Sequence, residues 1–190
     1  MNSNLFRLAG WSAYLSAIAT LAAFATLIIF FAVGDPFGII NDAITVIGST
    51  ILIPVLLALY QLHHVHTPAA SLGALMVGII AVLFAGTLQA LLVFKVSTYA
   101  QTALPVPLAY GMFGLSLAYS NYLAYVHETF SRKLAMWGVV TGIGYLVTTL
   151  GFILGGQTHP LTYVGGLTAI IATPVWSIWI GRVWLRDAKG

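Results

Sequence analysis

Three of the chain's five histidines lie close together in the segment QLHHVHTP, residues 61–68. Histidine nitrogens commonly bind metals, and the side chain changes its charge near pH 6.5. If a helix continues through this segment, His63 and His66 share one of its faces. Zinc sites need three or four protein ligands, and His127 and Glu128 are the candidates for the others. A metal or pigment site is thus one hypothesis. A solvated cluster that faces lipid headgroups at a helix end is the simpler one, and we favour it.

A second set of polar residues lies in the most polar of the long apolar segments. On a helical wheel Tyr110, Asn121 and Tyr125 fall within about 60° of one another, and Ser116 marks a second edge. Such a stripe predicts a pocket in which hydroxyl and amide groups orient a small apolar ligand. Hydrogen bonding between helices is the alternative. Gln89 lies at about the depth of Tyr110 in the preceding segment, so we expect the two side chains to meet.

Composition shows which solvent surrounds these residues. The chain has 190 residues, of which 60% are hydrophobic and only 6% charged. A soluble domain carries about 25% charged residues, so the bilayer is the solvent that fits. The net charge is +3, and the seven Lys and Arg residues are spread along the chain and do not form the basic patch that nucleic-acid binding needs. The absence of cysteine excludes disulfides, iron–sulfur clusters and thiol chemistry.

Apolar runs of about 20 residues predict membrane-spanning helices, and the chain contains six of them. In a bilayer such runs must be helical, because each must satisfy its own backbone hydrogen bonds. We therefore predict an all-α fold, in which residues 1–190 form one bundle of six transmembrane helices without a soluble domain. The predicted spans are 8–33, 40–61, 70–94, 103–126, 134–155 and 161–182.

The basic residues predict how this bundle is oriented. With six spans, both termini share one side of the membrane with the second and fourth loops. The basic residues on that side are Arg7, Arg132, Lys133, Arg182, Arg186 and Lys189. The other side has only Lys95. The excess of positive charge predicts that both termini are cytoplasmic.

Small residues and prolines predict how the helices meet. The fifth span has two faces of small residues, which indicates a helix packed between two neighbours. One face is Gly138, Gly142 and Thr149, and the other is Gly144, Thr148, Gly151 and Gly155. Ser12, Ser16 and Thr20 form a similar face on the first span, suited to packing within the chain or to docking of a partner. Pro54 and Pro174 are expected to kink or loosen their helices.

The opening RLAGWSAYLSAIATL, with Arg7 and Gly10 before a long helix, resembles a family of small bacterial six-helix membrane proteins of uncharacterised function. This resemblance implies a bacterial plasma membrane and supplies no catalytic residues. The size, the six spans and the small residues of SAIATLAA are also similar to the substrate-binding subunits of energy-coupling-factor vitamin transporters. That second likeness concerns architecture alone.

Three functions remain open, and no constellation of residues favours an enzyme. The first is a non-enzymatic membrane protein that binds a small apolar ligand or lipid, or that serves as an accessory subunit of a membrane complex. The second is a transporter or substrate-capture subunit for a neutral molecule. Pumps and proton-coupled carriers are disfavoured, because no charged residue lies at the centre of a span. The third is a metal- or pigment-binding protein that uses the histidine cluster.

Overall fold

The structure is a computed structural model that describes residues 3–188. These residues are helical almost throughout and include no β-strand, which confirms the all-α prediction. The α-helices are α1 (Ser3–Val33), α2 (Phe37–Ile51), α3 (Ile53–His63), α4 (Pro68–Val93), α5 (Tyr99–Thr102), α6 (Pro105–His127), α7 (Arg132–Gly155) and α8 (Pro160–Asp187). A 3₁₀ turn, Gly156–Thr158, joins α7 to α8.

Five helical segments among the described residues are long and apolar enough to cross a membrane. They are Ser3–Val33, Phe37–His63, Pro68–Val93, Arg132–Thr158 and Pro160–Asp187. The 23 residues of α6 do not reach the same hydropathy, because tyrosine, serine and asparagine interrupt its apolar residues. Five of the six predicted spans are therefore supported by length and composition, and the sixth stays a prediction.

The long helices form a closed ring in chain order. Contacts join α1 to α2, α2 to α4, α4 to α6, α6 to α7, α7 to α8, and α8 back to α1. Phe6 packs edge-on against Trp184, with ring centroids 5.8 Å apart, and Ser16 bonds to Ser177 further along the same pair of helices. The helices α1 and α8 are thus antiparallel, so the first and last described residues lie at one end of the ring. We call this the terminal end and the opposite one the distal end.

The two small faces of α7 pack against different neighbours, as predicted. On one face a Cβ atom at Gly142 would lie 2.4 Å from the carbonyl oxygen of Gly114 in α6. On the other face a Cβ atom at Gly144 would lie 2.7 Å from the backbone nitrogen of Ala169 in α8. Because glycine has no side chain, the backbones of α6 and α8 can pack directly against the backbone of α7. Such close packing is the main source of helix association in lipid.

The small face of α1 is used inside the chain. Ser12 and Ser16 are buried, and the Ser16 hydroxyl donates to Ser177 of α8 at 3.2 Å. Packing within the chain, the first of the two predicted uses, is therefore observed at these residues. Thr20, one turn further along, is half-buried and faces a cavity described below.

The second predicted span is interrupted, and this interruption divides the interior of the ring. Helix α2 ends at Ile51 and α3 begins at Ile53, with Pro54 in its first turn. Proline has no N–H to continue the ladder of helical hydrogen bonds, which explains the break. Helix α3 contacts α1, α4 and α6 and fills the ring at the terminal end, whereas α2 stays in the wall. Pro174, by contrast, lies within a continuous α8.

Candidate functional site

The distal half of the ring contains a cavity of about 320 Å³. It extends as deep as Ser16 and Thr173, near the midpoints of α1 and α8, and Ser49, in the last turn of α2. Towards the distal end it reaches Leu27 and Phe152. At the terminal end α3 fills the interior of the ring. At the distal end α2 is part of the wall, and no described helix fills the interior, which leaves the cavity. Its volume lies within the range of about 300–1,000 Å³ that is typical of small-molecule sites.

Two tyrosines from neighbouring helices form one wall of the cavity. The rings of Tyr110 and Tyr145 are stacked, with centroids 5.9 Å apart. The Tyr110 hydroxyl lies 3.2 Å from that of Ser49, and the Tyr145 hydroxyl 3.3 Å from that of Thr173. Phe113 supports the ring of Tyr145 edge-on at 5.4 Å. We call Tyr110 and Tyr145 the tyrosine pair. It offers a ligand flat aromatic surface and two fixed hydroxyl groups.

Gln89 of α4 also lines the cavity and carries an unused acceptor. Its Oε1 atom is buried and has no hydrogen-bond partner among the described residues. A buried polar group without a partner costs about 1–3 kcal/mol. Rotation of the Gln89 amide towards the cavity would let a ligand hydroxyl or amide hydrogen donate to Oε1 and remove this cost.

The remaining lining is neutral. It consists of aliphatic and aromatic side chains such as Phe24, Ile44 and Ile170, together with threonine hydroxyls and the amide of Asn41. Among the described residues that line the cavity, none is acidic, basic or histidine. Burial of an uncompensated charge is strongly unfavourable in such surroundings. The cavity therefore suits a neutral molecule.

The structure separates the residues of the predicted ligand stripe. Tyr110 and Gln89 line the same cavity, although the Tyr110 hydroxyl bonds to Ser49 and not to Gln89. Asn121 is fully buried nearer the terminal end, where Trp176 donates to its side-chain oxygen at 3.0 Å. Ser116 donates to the backbone carbonyl of Ala74 in α4 at 2.6 Å. Asn121 and Ser116 thus make the interhelical hydrogen bonds that were the alternative interpretation.

Tyr125, the last member of the stripe, lies at the terminal end of α6. Its ring is half-buried, and the guanidinium carbon of Arg132 lies 5.4 Å from the ring centroid, a cation–π contact. Helical-wheel angle alone placed Tyr125 beside Tyr110. Tyr125 follows Tyr110 by fifteen positions, which places it about four turns further along the axis, away from the cavity.

The predicted metal ligands do not assemble into a metal site. Within residues 3–188 no group of three or more His, Cys, Asp or Glu side chains is arranged to hold a metal ion. Helix α3 ends at His63, so His63 and His66 do not share a helical face. The ring of His66 stacks on that of His127, with centroids 5.0 Å apart, and Glu128 pairs with Arg132. Stacked rings and an ion-paired carboxylate do not converge on one ion. His63 is fully buried, so the favoured interpretation of a solvated cluster is wrong for this residue.

Sequence reasoning missed the central contribution of α7 to the cavity. Tyr145 directly follows Gly144 in sequence, and on a helical wheel it falls between Gly142 and Gly144, which belong to the two packing faces of that helix. A large polar aromatic residue between two close-packed faces has to project into a gap between the neighbouring helices, and this was the available signal. Ser49 and Thr173 were also not among the predicted site residues. No protein-family model, curated protein or solved structure matches the chain.

Proposed function

We propose that this protein is a non-enzymatic, six-span protein of the bacterial plasma membrane that binds a small, neutral, largely apolar ligand or lipid. The observation that carries the proposal is the distal cavity, in which the tyrosine pair and Gln89 line an otherwise largely apolar space. Pockets of this kind bind by apolar contact and orient the ligand by a few polar groups.

The sixth span in this proposal is α6. Its 23 residues cover about 34 Å at 1.5 Å per residue, enough for a hydrocarbon core of about 30 Å. Its polar residues Ser116, Ser120 and Asn121 are buried in the bundle, while Met112 and Leu115 are exposed. The outer surface of α6 is thus more compatible with lipid than its average composition indicates.

A cytoplasmic terminal end is the orientation that the charges support. Arg7, Arg132, Lys133, Arg182 and Arg186 lie at that end, and Lys95 lies at the distal end. Lys189, which contributed to the predicted charge bias, lies outside the described residues. By the positive-inside rule the distal cavity then faces the outer side of the membrane.

Native mass spectrometry of protein gently extracted from its own host tests the proposal. We expect a bound neutral molecule that is retained by the wild type and lost from Gly166→Phe. Gly166 lines the cavity, and a Cβ atom there meets no atom within 4 Å, so the new ring has room to occupy the ligand's space.

The matched control is Gly73→Phe. Gly73 is a helical glycine with equally open surroundings, but it is exposed on α4 and does not line the cavity. Retention of the bound molecule by Gly73→Phe and its loss from Gly166→Phe would support the cavity as the site. A wild-type protein without any bound molecule, in gentle preparations from its own membranes, would contradict the proposal.

A second candidate is a transporter or a substrate-capture subunit of a membrane complex. The break between α2 and α3 favours it, because interrupted helices beside a binding site are a recurrent feature of transporters. Uptake of neutral solutes into vesicles containing the protein, with and without candidate partner subunits, tests this function. Equal uptake in vesicles without the protein would leave ligand binding as the remaining proposal.

A further inference from the structure

A basic groove runs between α7 and α8 at the terminal end, on the outside of the ring and far from the cavity. It consists of two concave surfaces, of about 830 and 410 Å³, which share Trp179. Its cationic side chains are Arg132, Lys133, Arg182 and Arg186, and Asp187 is its one acidic residue among those described. From these features we infer that the groove is a binding site for an anionic phospholipid.

The arrangement of residues along α8 follows the layers of a lipid molecule. Arg186 and Arg182 lie one turn apart near the end of the helix, and Trp179 lies one turn deeper. Ile178 and Val175 follow, with 46% and 39% of their surfaces exposed. Cationic, aromatic and aliphatic side chains thus succeed one another in the order of phosphate, interface and acyl chain.

The facing surface of α7 repeats this order. Lys133 lies in the first turn, the exposed Met136 and Trp137 lie about one turn deeper, and the half-buried Val140 follows. The two helices pack against each other, and both concave surfaces include Trp179, so the strip on α7 and the strip on α8 meet at this residue. A lipid bound there would have both its headgroup and an acyl chain in contact with protein.

Two of the four cations have no carboxylate partner within the described residues. Arg132 pairs with Glu128, and Arg186 lies 3.6 Å from the carboxylate of Asp187. Lys133 and Arg182 have no such pair within residues 3–188, and one projects from each wall of the groove. A phosphodiester between the walls would compensate both charges. A zwitterionic lipid would bring its own cation into this positive field, so charge favours a net-anionic headgroup.

The test measures lipids retained by the full chain after release from nanodiscs of phosphatidylcholine that contain a minority of phosphatidylglycerol. We expect the wild type to retain phosphatidylglycerol in preference to phosphatidylcholine. Each of Lys133→Gln and Arg182→Gln should weaken this retention about fivefold, the equivalent of roughly 1 kcal/mol per surface cation. Arg182→Lys should restore most of it, since the charge is kept.

The matched control is Arg7→Gln, which removes an exposed cation from α1 at the same end of the ring but outside the groove. Unchanged retention in this variant would support a defined site. Equal weakening by Arg7→Gln would mean diffuse attraction to the surface and would overturn the inference. Equal retention of the two lipids by the wild type would overturn it as well. Because all three substituted residues are exposed, circular dichroism is expected to show the same helix content in every variant.

Discussion

The indole N–H of Trp176 in α8 donates a hydrogen bond to the side-chain oxygen of Asn121 in α6, at 3.0 Å. The amide nitrogen of Asn121 donates to the carbonyl of Leu117 at 2.8 Å, and the side chain is fully buried. Gly138 of α7 lies directly against the same amide. One polar group therefore connects three helices at the packed terminal end, and the most polar residue of α6 stabilises the bundle.

A double-mutant cycle with Asn121→Ala and Trp176→Phe should show that the two side chains are coupled. We expect a coupling energy between about 0.6 and 1.7 kcal/mol, the average and the largest values measured for hydrogen bonds between membrane helices. The measurement is the free energy of unfolding of the two single variants and the double variant in mixed micelles. Additive effects of the two substitutions would contradict a direct interaction.

Gly138→Ala should destabilise the bundle, although alanine has a higher helix propensity than glycine. The added Cβ atom would lie 2.1 Å from the Asn121 side chain, so the amide or the whole of α7 must move. Gly73→Ala is the matched control, because its Cβ atom meets nothing within 4 Å. That control should be neutral or stabilising by up to about 1 kcal/mol, from helix propensity. Similar melting temperatures for the two variants would argue against close packing at Gly138.

Gln89→Leu should raise the stability of the ligand-free protein and weaken ligand binding. Leucine has a similar volume to glutamine but lacks the buried acceptor that has no partner among the described residues. Removal of such an acceptor is expected to raise the free energy of unfolding by about 1–3 kcal/mol. Thermal unfolding of ligand-free protein measures the first effect, and native mass spectrometry measures the second. A variant that is less stable than the wild type would indicate that the Gln89 amide is already satisfied, for example by water.

Single cysteines test the proposed orientation, because the natural chain has none. Val65 and Val96 lie in loops at the terminal and distal ends, and their side chains are 73% and 71% exposed. In intact cells a membrane-impermeant maleimide should label Val96→Cys but not Val65→Cys. After permeabilisation both should react. Labelling of Val65→Cys alone in intact cells would show that the orientation is opposite to the proposed one.

The sequence by itself predicted the class of structure and several of its internal contacts. Helix is the structure that satisfies the backbone of long apolar segments in lipid, so composition determined the all-α fold. Spacing of small residues predicted that α7 lies between two neighbours, since helices approach closely only where side chains are small. Pro54 predicted a disturbed helix because its missing N–H is a local property of the residue.

Only the tertiary structure decided which polar residues share a cavity. A helical wheel gives direction around an axis, so it grouped Tyr110 with Asn121 and Tyr125, which lie at different depths and have different partners. The cavity depends on α3 packing into the ring against α1, α4 and α6 while α2 remains in its wall, and these contacts join segments far apart in the chain. The ring of Tyr110 in α6 stacks on that of Tyr145 in α7. Local spacing in the sequence does not predict a contact between residues so far apart in the chain.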